Sequence, residues 1–199
     1  MAIIGTAGSK FSDRMNPELF RAMVTRAGVI VDGLECEHGE ITLVSGGAAV
    51  SDHIAVVLWL QCQDFEGLHL YIPCGWDSDR NQFCDNGKQG WRDNPGRTAN
   101  SYHGKFAQSV QEDTLYQIEL GRLTGAVLDD SCFGFHARNS SVAQSDVVIA
   151  FTWSKTNSPD DGGTKSTWNK ATNSRRIHVS LHELQDEIAA ECLLGRAEQ

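Results

Sequence analysis

The 199-residue chain predicts an α/β fold, a Rossmann-like open parallel sheet with helices on both faces. Three observations lead there. Short apolar runs (Ala2 to Ile4, Ile41 to Val44, Leu68 to Pro73, Val147 to Phe151, Arg176 to Leu181) punctuate the chain at strand length. Between them lie segments with helical spacing of apolar residues, and that alternation implies parallel strands joined by crossover helices. Finally, two of the runs end at once in glycine-rich loops, a common way to meet a phosphate at the edge of such a sheet.

The elements follow in order. Ala2-Ile3-Ile4 is a first strand, followed by Gly5-Thr6-Ala7-Gly8-Ser9-Lys10. This loop has neither the Walker A spacing nor the dinucleotide GxGxxG spacing, so it reads either as a phosphate- or ribose-facing loop or as a plain tight turn. Asn16-Pro17 starts a helix, with Asn as N-cap and Pro at the first helical position. Phe20, Met23, Val24, Ala27 and Val31 then share one face and belong to the core. Ile41 to Val44 is the second strand and ends in Ser45-Gly46-Gly47-Ala48. A helix is expected from about Ser51 to Gln61, with Asp52 near its start either as a dipole-complementing cap or as an acceptor for a ligand hydroxyl.

Leu68 to Pro73 is the third strand. The region 74–109 breaks the rhythm: it is polar, carries Trp76 and Trp91, and reads as a long insertion within one domain spanning 1–199. It is a candidate lid that stacks on a base, an oligomer contact, or plain packing. Asp77, Asp79 and Asn81 alternate as in a calcium loop, but Gln82 replaces the required glycine and Lys88 the bidentate Glu, so no metal is expected. A helix is expected from about Val110 to Leu123, and a polar helical segment from Arg138-Asn139 leads into the strand Val147 to Phe151. Gly162-Gly163-Thr164 opens a further helical segment to Ala171, whose unpaired first-turn N–H groups suit an anion. Arg176 to Leu181 is the last strand and 182–194 a terminal amphipathic helix.

Composition narrows the classes. Hydrophobic content of 40% and charged content of 22% suit an ordinary globular protein. A net charge of −9 argues against broad nucleic-acid binding. No apolar run reaches the ~18 residues of a membrane span, and the N-terminus lacks a signal peptide's basic region. A cytoplasmic protein is expected. Several of the six cysteines sit in core-like contexts with no CxxC pair, which favours reduced thiols over disulfides or structural zinc.

Taken in order, Gly5-Thr6-Ala7-Gly8-Ser9, Ser45-Gly46-Gly47-Ala48 with Asp52, Ala137-Arg138-Asn139, Asp146 before Val147 to Phe151, and Gly163-Thr164 with Thr167 resemble the SLOG superfamily. Its relatives include the LOG phosphoribohydrolases, the DNA-processing protein A and sensors of NAD-derived signals; the pattern is most similar to the small stand-alone branch. The resemblance implies a pocket at the carboxyl edge of the sheet for a nucleotide-type small molecule, with no cofactor, and a homodimer or higher homo-oligomer. Its ligand-binding residues would be Gly5, Thr6, Gly8, Ser9, Ser45, Gly46, Gly47, Asp52, Arg138, Asn139, Gly162, Gly163 and Thr164. Arg138 would pair with a phosphate through its planar fork, or else cap a nearby carboxylate. His136 beside it reads as structural. LOG enzymes carry a Glu where this chain has Thr167, and a threonine cannot serve as the carboxylate of N-glycosidic cleavage. The expectation is therefore a binder acting as sensor or sequestering protein. The alternative is an enzyme at a nucleotide N-glycosidic bond, and no catalytic residue is assigned.

Overall fold

A computed structural model describes residues 1–7, 14–62, 64–160 and 162–197, with side chains up to residue 193. The strands are β1 (Ala2–Gly5), β2 (Thr42–Ser45), β3 (Gly67–Tyr71), β4 (Trp76–Asp77), β5 (Gln82–Phe83), β6 (Val127–Asp129), β7 (Val147–Thr152) and β8 (Arg175–Ser180). The helices are α1 (Pro17–Asp32), α2 (Ile54–Gln61), α3 (Pro95–Val110), α4 (Thr114–Leu123), α5 (Phe135–Val142), α6 (Gly162–Lys170) and α7 (Leu181–Ala197). Six strands form one sheet in the order β6-β3-β2-β1-β7-β8, with every pairing parallel. The Rossmann-like α/β class is therefore as the sequence predicts.

The topology fixes where a ligand can sit. From β1 the chain steps outward through β2 and β3 to β6, then returns to the other side of β1 as β7 and continues to β8. The connections leaving β1 and β7 run to opposite sides, and the crevice between such strands at their carboxyl ends is the usual ligand position in open α/β sheets. That crevice lies beside Gly5 and Phe151, which are register partners.

Helices cover the two faces unequally. Side chains of α1, α2, α3, α4 and α7 pack into one large core with Ile3, Leu43, Leu68, Leu70, Ile149 and Phe151. The smaller core opposite takes Val142 from α5 and Trp168 from α6 against Ala2, Ile4, Val148 and Ala150. Strand residues alternate between these faces as the pleat requires.

The insertion differs from its reading as a long polar loop. It folds into the hairpin β4–β5 and the 16-residue helix α3. Asn94 caps α3 by accepting from the Arg97 N–H at 3.2 Å, with Pro95 in the first turn. Its buried residues Ala99, His103, Phe106 and Val110 recur every three to four positions, so α3 joins the large core as an ordinary amphipathic helix. The helix expected from Val110 is accordingly two: α3 ends there, Gln111 turns left-handed at φ 60°, and α4 starts afresh under an Asp113 cap on the Tyr116 N–H at 3.0 Å. The edge strand β6 was not foreseen. The region around the calcium-like spacing is the hairpin turn, where Asp77 Oδ1 accepts the N–H groups of Asp79 and Arg80. Of the six thiols only Cys74 is buried; Cys36, Cys84 and Cys192 are exposed, so the core-like reading of several of them is corrected.

Candidate functional site

The carboxyl ends of β1, β2 and β7 open into a cavity of about 320 Å³, within the usual range for small-molecule sites. Of the residues singled out in the sequence, Gly5, Thr6, Gly46, Asp52, Arg138, Asn139, Gly162, Gly163 and Thr164 line it together. They come from four separated stretches, so the fold converges on one spot. Ser45 and Gly47 lie just behind. The Ser45 hydroxyl, fully buried, accepts the Gly47 N–H at 3.2 Å and shapes the loop from beneath. Gly8 and Ser9 fall outside the described residues.

Two glycines matter through close approach. A Cβ on Gly5 would lie 2.0 Å from the Phe151 carbonyl and 2.5 Å from Ser51 Oγ, so only glycine lets β1 and β7 end side by side under the cavity. Ser51 spans that junction by donating to the Phe151 carbonyl at 3.1 Å. A Cβ on Gly46 would stand 2.7 Å from both Arg138 Cζ and Asp52 Oδ2. The bare backbone at 46 thus allows a charged pair to press against the end of β2.

That pair is the electrostatic centre of the cavity. Asp52 is buried, and rather than capping α2 through a side-chain bond it accepts the Gly46 N–H at 3.1 Å and the Ala48 N–H at 3.4 Å. Burial raises its pKa to about 6, although Arg138 and the surrounding backbone N–H groups pull the other way. Arg138 is 5% exposed, so it is no surface arginine. One terminal nitrogen donates to the Tyr71 carbonyl at 3.2 Å, while the other stands 4.0 Å from Asp52 Oδ2, beyond hydrogen-bond reach. Among the described residues its Nε has no partner. Burial lowers the Arg138 pKa despite Asp52. Both members are thus penalised by desolvation more than their mutual attraction compensates.

Two helix starts frame this pair. α5 begins at Gly134, held at φ 91° without a side-chain cap, and its first residues Phe135 and His136 line the cavity. α6 begins at Gly162 and Gly163, and Thr164 ties it to the sheet by donating to the Gly5 carbonyl at 2.6 Å. Asn139 reaches the Gly163 carbonyl at 3.4 Å, linking the two helices. Thr167 also lines the cavity, but its hydroxyl donates to the Gly163 carbonyl at 3.1 Å, a bond within its own helix.

Sequence reasoning did not assign the aromatic wall. Trp91 and Tyr102 of the insertion and Phe135 of α5 also line the cavity. Trp91 is held edge-on to His136 at 5.5 Å and tilted against Phe135 at 6.4 Å. Asp160 and Thr152 complete the rim; Thr152 Oγ1 meets His178 Nε2 at 2.8 Å. Only the two tryptophans in a polar insertion hinted at that wall.

Behind the Gly46-Gly47 loop lies a buried histidine pair. His103 of α3 meets the Gly47 carbonyl through Nε2 at 3.2 Å and Thr114 Oγ1 through Nδ1 at 3.0 Å. A carbonyl only accepts, so Nε2 carries the proton. His53 meets Gln117 Oε1 at 2.7 Å, and the Gln117 amide nitrogen donates to Glu112 at 2.6 Å, which fixes the amide's orientation. The two rings are 5.7 Å apart, edge to face. Burial keeps both neutral, lowering His53 to about 4 and His103 to about 3.

The chain is 33% identical over 190 residues to uncharacterized protein R261 of Acanthamoeba polyphaga mimivirus, an alignment that covers 91% of this chain and 95% of the viral one. The chain belongs to the family of that viral protein. No protein-family model and no solved structure matches it. The near-complete coverage of both chains means that the sheet and the insertion fall largely inside the shared region. Among the described residues no helix is long and apolar enough to cross a membrane, and no group of His, Cys, Asp or Glu could hold a metal ion.

Proposed function

We propose that this cavity binds a nucleotide or nucleotide-derived small molecule, of the ADP-ribose or NAD type or a nucleoside phosphate, in a SLOG-like, cytoplasmic sensor or sequestering protein. The observation that carries this is Arg138. A buried guanidinium whose Nε has no partner among the described residues, beside two helix starts and a glycine loop, is costly unless an anion completes it. A phosphate accepts from Nε and a terminal nitrogen together, and the first-turn N–H groups of α6 favour the same charge. The aromatic wall supports the planar half of such a ligand, because bases stack on aromatic rings with little regard to sequence. A homodimer, expected from the resemblance, belongs to the same proposal.

Binding is the leading reading because Thr167 offers no carboxylate and its hydroxyl is already bonded. One observation favours the second reading, cleavage or transfer at a nucleotide N-glycosidic bond. Asp52 stands in the cavity with its pKa raised to about 6, a value suited to proton transfer near neutrality.

Thermal shift against a nucleotide panel, followed by mass analysis of the mixtures, separates these. The binder predicts stabilisation with the ligand recovered intact, weakened about 10- to 100-fold by Arg138→Lys, which keeps the charge but loses the fork. Release of free base or ribose phosphate establishes the enzyme instead. A flat panel refutes both.

A further inference from the structure

The cavity has a neighbour. On the far side of Trp91, Thr98 and Tyr102 lies a second hollow of about 300 Å³, and those three residues line both. The partition follows from helix geometry. Thr98 and Tyr102 are four residues apart on α3 and form one ridge facing the first cavity. Arg97 and Ser101, also four apart, form the adjacent ridge and line only the second hollow, together with Gln89. One helix therefore presents the Thr98–Tyr102 row to both spaces and the Arg97–Ser101 row to the second alone, with Trp91 also shared between them.

The wall is set in place before any ligand arrives. Asn94 donates to Asp85 and to the Lys88 carbonyl, Asn86 donates to the Asp93 carbonyl at 2.8 Å, and Arg92 sits 4.3 Å over the Trp91 ring. These contacts make 85–94 a pinned loop, and pre-organisation of this kind lowers the cost of binding. The second hollow also stands out by charge. In a chain of net −9 it is lined, among the described residues, by Arg97 and no carboxylate, and the Asp85 that Arg97 feels is engaged by Asn94 and the Gly87 N–H.

We propose that the insertion builds a second ligand subsite, in which Arg97, Gln89 and Ser101 receive the phosphate- or hydroxyl-bearing far half of a two-part ligand that passes over the Trp91–Thr98–Tyr102 wall. This rests on the nucleotide reading of the first cavity. Each space alone lies at the lower end of ligand-site volumes, and the pair suits a molecule of dinucleotide size. The second half needs an anion or sugar because its receptors are one guanidinium, an amide and a hydroxyl, with no apolar floor beyond the shared wall.

Calorimetry with adenosine monophosphate and with ADP-ribose tests this, read as the ratio of the two dissociation constants. The full chain should bind ADP-ribose at least about tenfold more tightly, as one added charge-assisted contact provides. Arg97→Gln removes the charge, and Ser101→Phe fills the hollow; both positions are exposed, and each variant should bring the ratio toward one. Equal affinities in the full chain, or a ratio untouched by both variants, overturn the second subsite and leave the nucleotide reading standing. Failure of both compounds to bind overturns the nucleotide reading itself, and the subsite with it.

Discussion

Acidification should strike this fold through the histidines behind the glycine loop, and His103→Gln should blunt the effect. In the unfolded chain a histidine titrates near its ordinary value of 6.5, whereas His53 and His103 are held at about 4 and about 3. Between those values the unfolded state binds the proton and the folded state does not, so stability falls as pH falls below 6.5. From pH 7 to pH 5 each ring then costs about 2 kcal/mol. Asp52 works the other way. Its folded value of about 6 lies above the ordinary 3.8, so the folded state takes up its proton first and stability rises as pH falls through 6. That offsets about 1 kcal/mol, leaving a net loss of roughly 2 to 3 kcal/mol from the three groups. Glutamine cannot titrate and still offers an N–H for the Gly47 carbonyl, which His103 now holds at 3.2 Å. Urea unfolding of wild type and His103→Gln at pH 7 and pH 5 reads the difference, since every other titrating group is common to both. The wild-type loss should exceed the variant's by about 2 kcal/mol. Parallel profiles would refute the reasoning, because a histidine that stays neutral only in the folded state cannot be silent.

Two further predictions concern the charged pair. Gly46→Ala puts a methyl group 2.7 Å from Arg138 and Asp52, so it should displace them and raise the dissociation constant for any anionic ligand at least about tenfold; an unchanged constant by calorimetry would show that Arg138 does not meet the anion. An anion at Arg138 also raises the Asp52 pKa further, so affinity should strengthen as pH falls from 8 to 6. The same titration on Asp52→Asn should be flatter, because the ligand's own protonation affects both proteins alike, and matching slopes would refute the linkage.

The glycine loops and the apolar strands were legible because each carries a local signal. Ala2 to Gly5 and Val147 to Thr152 are almost wholly buried runs and Thr42 to Ser45 an alternately buried one, each followed by a loop, and parallel pairing needs little more. β6 escaped because three residues at a sheet edge, with Val127 51% exposed, leave no periodic trace. α3 is more instructive. Its Asn94-Pro95 start is the same cap signal as Asn16-Pro17, and both asparagines do cap their helices. The apolar stripe behind it hides because one of its four buried positions is His103, which counts as polar in a sequence and packs here as a core ring between Phe83 and His53. The convergence of Arg138, Asp52 and Gly46 was implied only by resemblance. The 4.0 Å gap and the orphaned Nε arise from tertiary packing and have no local signature.

That gap bears on what the cavity is for. An ion pair that existed for stability would close to bidentate contact, since two buried charges recover their desolvation only in good geometry. Here the carboxylate is occupied by the N–H groups of Gly46 and Ala48, which holds it back from the guanidinium. The arginine in turn is held by the Tyr71 carbonyl and by Phe135, whose ring lies 5.4 Å from its Cζ. Each member is positioned by its neighbours more than by the other. The result is a cation stripped of water, short of acceptors and fixed at the wall of a cavity, and an arriving anion would recover a desolvation cost already incurred in folding. The same arrangement disfavours Asp52 as a mobile base, because moving it toward a substrate would release the loop it secures.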